Sequence, residues 1–177
     1  SAIVNDVLSF ARQIEPKIQA LDTRAVLQRV IDAHRPAIEA HHIAVTVEVD
    51  SAVVHADADL LHQALLNLVR NAVDAMAERG GGRLTLAATA DRLTLTDTGP
   101  GLPGQVVDRI FNPFFTTRSS GTGLGFAIVH RIIDAHGGTI AVHNHPGHGG
   151  AVFALDLPCP QAARGLAPES NFMEPAA

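Results

Sequence analysis

Four short runs of this chain carry residue types suited to holding a phosphate chain and its counter-ion. Asn67 and Asn71 stand four residues apart on a helical pattern, one turn from each other. An amide carbonyl is a hard oxygen ligand, and magnesium takes few such protein oxygens, completing its octahedron with phosphates and water. Two Asn on a helix, taken alone, are better explained by a solvated face. Asp97 precedes Thr-Gly-Pro-Gly101. A carboxylate there can accept from an exocyclic amine such as that of adenine, while Gly99 and Gly101 let the backbone come close to a ligand. The same residues also make an ordinary tight turn with a capping Asp. Gly121-Thr-Gly-Leu-Gly125 opens an apolar helix, where backbone amides and the helix dipole favour phosphate. It lacks the preceding strand of a dinucleotide fingerprint and the Lys-Ser or Lys-Thr of a Walker loop. Arg118, three residues upstream, suits a terminal phosphate, although alone it reads as a solvated loop arginine. Between the glycine clusters lie about 20 residues with no regular apolar period, a length that usually marks a lid or binding loop.

The elements that must position these runs follow from periodicity. Ile3, Val7, Phe10, Ala11 and Ile14 form one helical stripe, which Pro16 should end. Asp22 or Thr23 can cap a second helix with Val26, Leu27, Val30, Ile31 and Ile38 inward, and Pro36 makes its continuity uncertain. Residues 43–49 alternate as a strand, and 51–56 read as a short second one. Asp57 to Met76 is the longest helical pattern, burying Leu61, Ala64, Leu65, Leu68, Ala72 and Met76, with Gln63, Asn67, Asn71 and Asp74 on another stripe. Residues 83–90 and 92–96 read as a hairpin after the Gly80–82 stop. A short helix near 105–110, a helix over 124–136 and a strand pair at 139–144 and 151–157 complete the pattern. Strands grouped with three long helices on one sheet face imply a two-layer α/β sandwich rather than alternating βαβ units.

The bulk numbers narrow the function classes. The chain has 177 residues, 46% hydrophobic and 18% charged, enough for one ordinary folded domain with its own core. Formal net charge is -5 and the aromatic fraction 4%, with no Trp or Tyr, which argues against a non-specific nucleic-acid binder. The single cysteine, Cys159, cannot form an internal disulfide, and no signal peptide or membrane-length apolar run is visible. A cytosolic location is expected for this segment, with room for an anchor elsewhere in a longer protein. Ser1 opens directly into a helical pattern, which suggests a piece of such a protein.

Taken together, Leu66-Asn-Leu-Val-Arg-Asn-Ala-Val-Asp74, Asp97-Thr-Gly-Pro-Gly101, Phe111-Asn-Pro-Phe-Phe115 and Gly121-Thr-Gly-Leu-Gly125 resemble the N box, the two glycine boxes and the F box of sensor histidine kinases. The resemblance covers roughly residues 57 to 157, and Ala135-His-Gly-Gly138 with 153–158 look like the family's closing strands. It implies an ATP-binding catalytic domain of the GHKL superfamily. The implied fold is a Bergerat α/β two-layer sandwich, with a mixed, mostly antiparallel sheet, three main helices on one face and an N-terminal helix remnant. By similarity Asn71 binds Mg, Asn67 assists at the phosphates with Arg70 and Asp74 beside it, and Asp97 reads adenine. Gly99 and Gly101 form the lid's first hinge, and Gly121, Gly123 and Gly125 its second, with amides on the phosphates; Leu102, Thr122 and Leu124 also line the nucleotide. Phe114 and Phe115 anchor the lid, with Thr117 at the nucleotide and Arg118 as the basic lid residue at the γ-phosphate. The Pro-Phe-Phe-Thr-Thr-Arg run resembles the nitrogen-regulatory subgroup. Residues 1–16 resemble the end of the dimerisation and phosphoacceptor hairpin, 17–158 the catalytic domain, and 159–177 read as a mobile tail.

None of the ten His precedes Asp or Glu, so none is assigned as phosphoacceptor. His130, His136, His143, His145 and His148 read as surface or turn residues, their spacing fitting no zinc pattern. ATP-hydrolysing relatives carry a Glu four residues before the Mg-binding Asn. Here that position is Asn67, and an amide cannot take a proton at neutral pH, so water attack should be slow. The resemblance thus implies transfer of the γ-phosphate of Mg-ATP to a histidine on the hairpin, for relay to the aspartate of a response-regulator receiver domain. It implies a homodimer for the full-length protein and leaves the fragment free to be monomeric. A GHKL-type ATP hydrolase or clamp, a non-catalytic ATP-sensing module and a serine kinase of the anti-sigma type share the fold and stay as alternatives.

Overall fold

The computed structural model describes residues 4–5, 13–112 and 124–160. Its elements are β1 (Gln19–Asp22), α1 (Thr23–Ala40), β2 (Ile43–Val49), β3 (Val53–Ala56), α2 (Ala58–Ala77), β4 (Gly82–Ala88), β5 (Arg92–Thr96), α3 (Gly104–Val107), α4 (Gly125–Ala135), β6 (Thr139–Asn144) and β7 (Ala151–Asp156). Of the helix expected over residues 1–15, Val4 and Asn5 are helical, but residues 13–15 are described and belong to no helix, Ile14 packing against the core from an irregular segment. The expected tail, from residue 161, lies outside them.

Five strands form one sheet in the order β2-β4-β5-β7-β6. The β2–β4 pair is parallel, in register Ile43↔Gly82 to Val49↔Ala88, and the other three pairings are antiparallel. A parallel pair needs a crossover, and α2 lies within that connection. β1 and β3 form a separate two-stranded antiparallel ribbon, Gln19↔Ala56 to Asp22↔Val53. Alternation puts Leu84, Leu86 and Ala88 of β4, Leu93 and Leu95 of β5, and Phe153 and Leu155 of β7 into the core, under Leu27, Val30 and Ile31 of α1, Leu61, Leu65 and Leu68 of α2, and Ile128 and Ile132 of α4. This is the expected two-layer sandwich of a mixed, mostly antiparallel sheet with three main helices on one face.

Several local expectations change on inspection. Pro36 sits inside α1, which runs unbroken through it. Pro36 and Asp32, whose carbonyl loses its helical partner, are both exposed, so water can take over that bond. Asp22 is the cap, its carboxylate accepting from Ala25 N–H at 3.1 Å. Val26 is only half-buried, and Thr23 takes a fully buried place instead. The strand expected from residue 51 begins at Val53 and leaves the large sheet to pair with β1. β1 itself, Gln-Ala-Leu-Asp, carries too little β-branched character to be read as a strand without its partner.

Candidate functional site

α2 is the spine of the site. Asp57 caps it, the carboxylate Oδ1 accepting from Asp59 N–H at 3.0 Å and Leu60 N–H at 3.1 Å. Its apolar stripe fixes its rotation, and Asn67 is held at the buried boundary, 9% exposed. Asn67 Nδ2 donates to the Gln63 carbonyl at 3.2 Å, and its Oδ1 accepts from Arg70 Nη2 at 3.0 Å. Asn71, half-buried, donates from Nδ2 to the Asn67 carbonyl at 2.8 Å. That bond fixes the sense of the Asn71 amide, and an amide oxygen such as its Oδ1 is the kind of atom a magnesium ion takes. The chemistry therefore fits a metal held by one protein oxygen with phosphates and water supplying the rest. Asp74 is half-buried on the same helix, one turn beyond Arg70.

Leu124 is buried and leads into α4, whose first turn has no side-chain cap. A Cβ built on Gly125 would lie 3.6 Å from Asn67 Oδ1 and 3.9 Å from Arg70 Nη2. The head of α4, with the positive end of its dipole, thus stands against the Asn67–Arg70 pair. Runs separated by more than 50 residues in sequence are adjacent in the fold.

Further along α2, Ala75 meets Gly99, where a Cβ would come within 3.2 Å of the Ala75 Cβ. Thr98 ties this loop down, its hydroxyl accepting from Arg83 N–H at 3.0 Å and donating to Met76 Sδ at 3.7 Å. Asp97 is 4% exposed at the end of β5. Its Oδ1 accepts from Gly99 N–H at 2.9 Å and Ala151 N–H at 3.2 Å, and among the described residues no donor reaches Oδ2. Burial pushes its carboxyl above the usual carboxylate range, against the Gly99 and Ala151 donors and His148, which pull it down. The eight helical steps from Asn67 to Ala75 span about 12 Å along the helix axis. That separates a phosphate-suited end from an amine-suited end.

The lid's first hinge is fastened from a direction the sequence did not announce. Gly101 has φ +74°, and a Cβ there would overlap the Gly149 carbonyl. Leu102 is gripped by Asn144 at the end of β6: its N–H donates to Asn144 Oδ1 at 2.8 Å, and its carbonyl accepts from Asn144 Nδ2 at 2.7 Å. Beyond it, Val106 and Ile110 are buried, and the Phe111 ring packs edge-on to Phe126 at 6.3 Å and tilted over His130 at 5.8 Å. Phe126 stacks on Phe153 at 5.4 Å. Phe114, Phe115, Thr117, Arg118, Gly121, Thr122 and Gly123 lie outside the described residues.

Three residues escaped the sequence reading. Asn144 and Phe111 looked like a strand end and part of a motif. His136, expected at the surface or in a turn, is instead buried, 9% exposed, with both ring nitrogens engaged by backbone groups. Its partner lies 79 residues away, so no local pattern could show it. His143 and His148 are exposed, and His145 and His148 stack at 3.9 Å in the β6–β7 turn.

A mixed sheet carrying three helices on one face, with the helix-borne Asn67–Arg70 pair facing a glycine-headed helix, defines the class. The chain belongs to the family described as histidine kinase-, DNA gyrase B- and HSP90-like ATPases, whose model matches residues 56–161. Among curated proteins it is 34% identical, over 90% of its length, to the C4-dicarboxylate transport sensor protein DctS of Rhodobacter capsulatus, and 32% identical, over 88%, to the sensor histidine kinase ZraS of Escherichia coli. It spans 25% and 34% of those proteins' own lengths. Among solved structures, the catalytic domain of histidine kinase ThkA is 33% identical with TM-score 0.71, covering 80% of this chain and 95% of that one. Full-length ShkA in complex with AMPPNP is 34% identical with TM-score 0.77, covering 89% of this chain and 35% of that one. ThkA in complex with the response regulator TrrA is 30% identical with TM-score 0.73, covering 89% and 46%. Among the described residues no helix is long and apolar enough to cross a membrane.

Proposed function

We propose that this chain is the ATP-binding catalytic part of a two-component sensor histidine kinase. It takes Mg-ATP along α2, with the adenine at Asp97 and the phosphates between Asn67, Arg70, Asn71 and the head of α4. The observation that carries this reading is the juxtaposition of Gly125 with Asn67 and Arg70, at the opposite end of one helical face from the buried Asp97. Asp97 Oδ2 accepts from the exocyclic amine, the Gly99–Leu102 hinge lines the base, and Leu124 and Gly125 present backbone amides to phosphate. Asn71 holds the metal, which when bound neutralises charge on the phosphates and orients them. Phe114, Thr117, Arg118, Gly121, Thr122 and Gly123 complete the lid, with Arg118 at the γ-phosphate.

Transfer of a phosphoryl group needs positioning and charge neutralisation more than covalent help. Asn67, at the helix position four residues before Asn71, spends its amide on Gln63 and Arg70 and offers no base to activate water. The nucleophile is a histidine on a dimerisation hairpin outside this chain. Residues 1–16 are the end of that hairpin, 17–158 the catalytic domain and 159–177 a tail. In the homodimer the phosphate passes on to a response-regulator aspartate, on the cytoplasmic side. The AMPPNP-bound and regulator-bound relatives support this reading.

The test is incubation with γ-labelled ATP. The chain alone is expected to bind nucleotide without labelling its own histidines, and to label a hairpin carrying the acceptor when one is supplied. Acid-labile label on the isolated chain, or steady ATP hydrolysis abolished by Asn71→Ala, would contradict the assignment.

A further inference from the structure

Four polar side chains are buried among the described residues: Thr23, Asn67, Asp97 and His136. The nucleotide reading uses Asn67 and Asp97, which leaves His136 as the buried titratable group without a role. His136 follows the last turn of α4. Its Nδ1 lies 2.7 Å from the Ile132 carbonyl and therefore carries the proton. Its Nε2 then has a lone pair, and accepts from the Asp57 N–H at 3.0 Å. Asp57 is the cap of α2, and its other carboxylate oxygen accepts from Lys17 N–H at 2.9 Å. One imidazole thus joins the tail of α4 to the head of α2, at a cap that also takes the chain segment leading into β1.

The consequence lies at the opposite end of α4. The helix runs antiparallel to the first half of α2, with His136 against Asp57 at one end and Gly125 against Asn67 and Arg70 at the other. Eleven residues make a rigid rod of about 16 Å. If the far end slides or turns, the amide-bearing end moves off the Asn67–Arg70 pair. The adenine end hangs by hydrogen bonds on β5, β7 and the β6–β7 turn, and α4 reaches it only through ring packing of Phe126 and His130 on Phe111 and Phe153.

We propose that His136 is a positioning residue for the phosphate end of the nucleotide site, setting where Gly125 stands against Asn67 and Arg70. The inference rests on the nucleotide reading above. A plain stabilising role would weaken every ligand alike. A positioning role weakens ATP and spares adenosine, which makes only the contacts at Asp97 and the Gly99–Leu102 hinge.

The experiment compares Mg-ATP and adenosine binding by NMR titration in the 177-residue chain and two variants. In His136→Asn the amide still reaches the Ile132 carbonyl but falls short of Asp57. In His136→Gln an acceptor extends to where Nε2 stood. His136→Asn is expected to weaken ATP about tenfold or more, since small misplacements of a positioned group are costly. Adenosine should change less than about twofold, and His136→Gln should return ATP to within about threefold of wild type. Equal losses for both ligands, or an unchanged ATP affinity, would overturn the proposal. Should His136→Asn fail to fold, wild-type imidazole nitrogen shifts decide: the Nδ1–H tautomer, with an Asp57 amide that responds to ATP and not to adenosine, supports it. An Nε2–H or charged ring overturns it. Wild type that binds no ATP sinks both readings, whereas wild type and His136→Asn binding it equally well sinks this one alone.

Discussion

Asp97 shows how a single residue can carry a measurable signature. Its Oδ1 is taken by two backbone donors, so a proton added to the group goes to Oδ2, the oxygen that faces no donor among the described residues. A protonated Oδ2 presents a donor to an amine, where an acceptor is needed. Because burial raises this carboxyl, ATP affinity should begin to fall, as pH is lowered, above the ordinary aspartate range, and calorimetry across pH would register it. Asp97→Asn keeps the two backbone bonds and turns an NH2 toward the base. It should weaken ATP by about tenfold or more, roughly 1.4 kcal/mol, with thermal stability largely kept. An unchanged affinity would remove Asp97 from the site. Asp97, Asn67 and Asn71 were legible in the sequence because their chemistry resides in residue type and short spacing. Asn144 and His136 were not, because their partners lie 42 and 79 residues away and only the fold supplies them.

At the scale of elements, α2 and its two neighbours matter most. Periodicity revealed α2 within a residue or two at each end, since its apolar stripe is long and its cap is an Asp. It could not show that the head of α4 docks against the middle of α2, which depends on packing between the helices. Nor could it show β1, whose four residues become a strand only by pairing with β3. The first lid hinge is the element most sensitive to a small change. Gly101→Ala forces a left-handed φ on a residue with a Cβ, and drives that Cβ into the Gly149 carbonyl. A loss of about 1–3 kcal/mol is expected, read as a lower melting temperature, together with weaker ATP binding. At the head of α2, Asp57→Asn retains an oxygen for the cap but cannot accept from Lys17. It should cost less than Asp57→Ala, for which about 1 kcal/mol is typical of a lost cap. Urea unfolding of the pair checks the order.

For the whole molecule, the core shared by the sheet and three helices sets stability, and the site hangs from it. Leu68, 1% exposed on α2 between Asn67 and Asn71, joins the two. Leu68→Ala should cost about 3–5 kcal/mol in denaturant unfolding. Acid should separate function from folding. The Asp57 carboxyl is pushed up by burial but held below its ordinary value by the Lys17, Leu60 and Asp59 donors. Its contribution is present above the unfolded pKa and is lost as pH falls through the depressed folded one. Asp97 has the opposite sign: its raised folded pKa costs stability above that value, a cost relieved as pH falls toward the unfolded one. Acidification should therefore abolish ATP binding while the chain is still folded, and a loss of binding that merely tracks unfolding would count against these assignments. The most direct measurement is a titration of the labelled 177-residue chain with ATP, with and without magnesium, followed by amide shifts. The account predicts saturable shifts at Asn67, Arg70, Asn71, Gly99, Gly101, Leu102 and Gly125, with the Asn71 end responding to the metal. No shifts at about 1 mM nucleotide, or shifts confined to the groove lined by Arg92, Thr139 and Asp156, would contradict it.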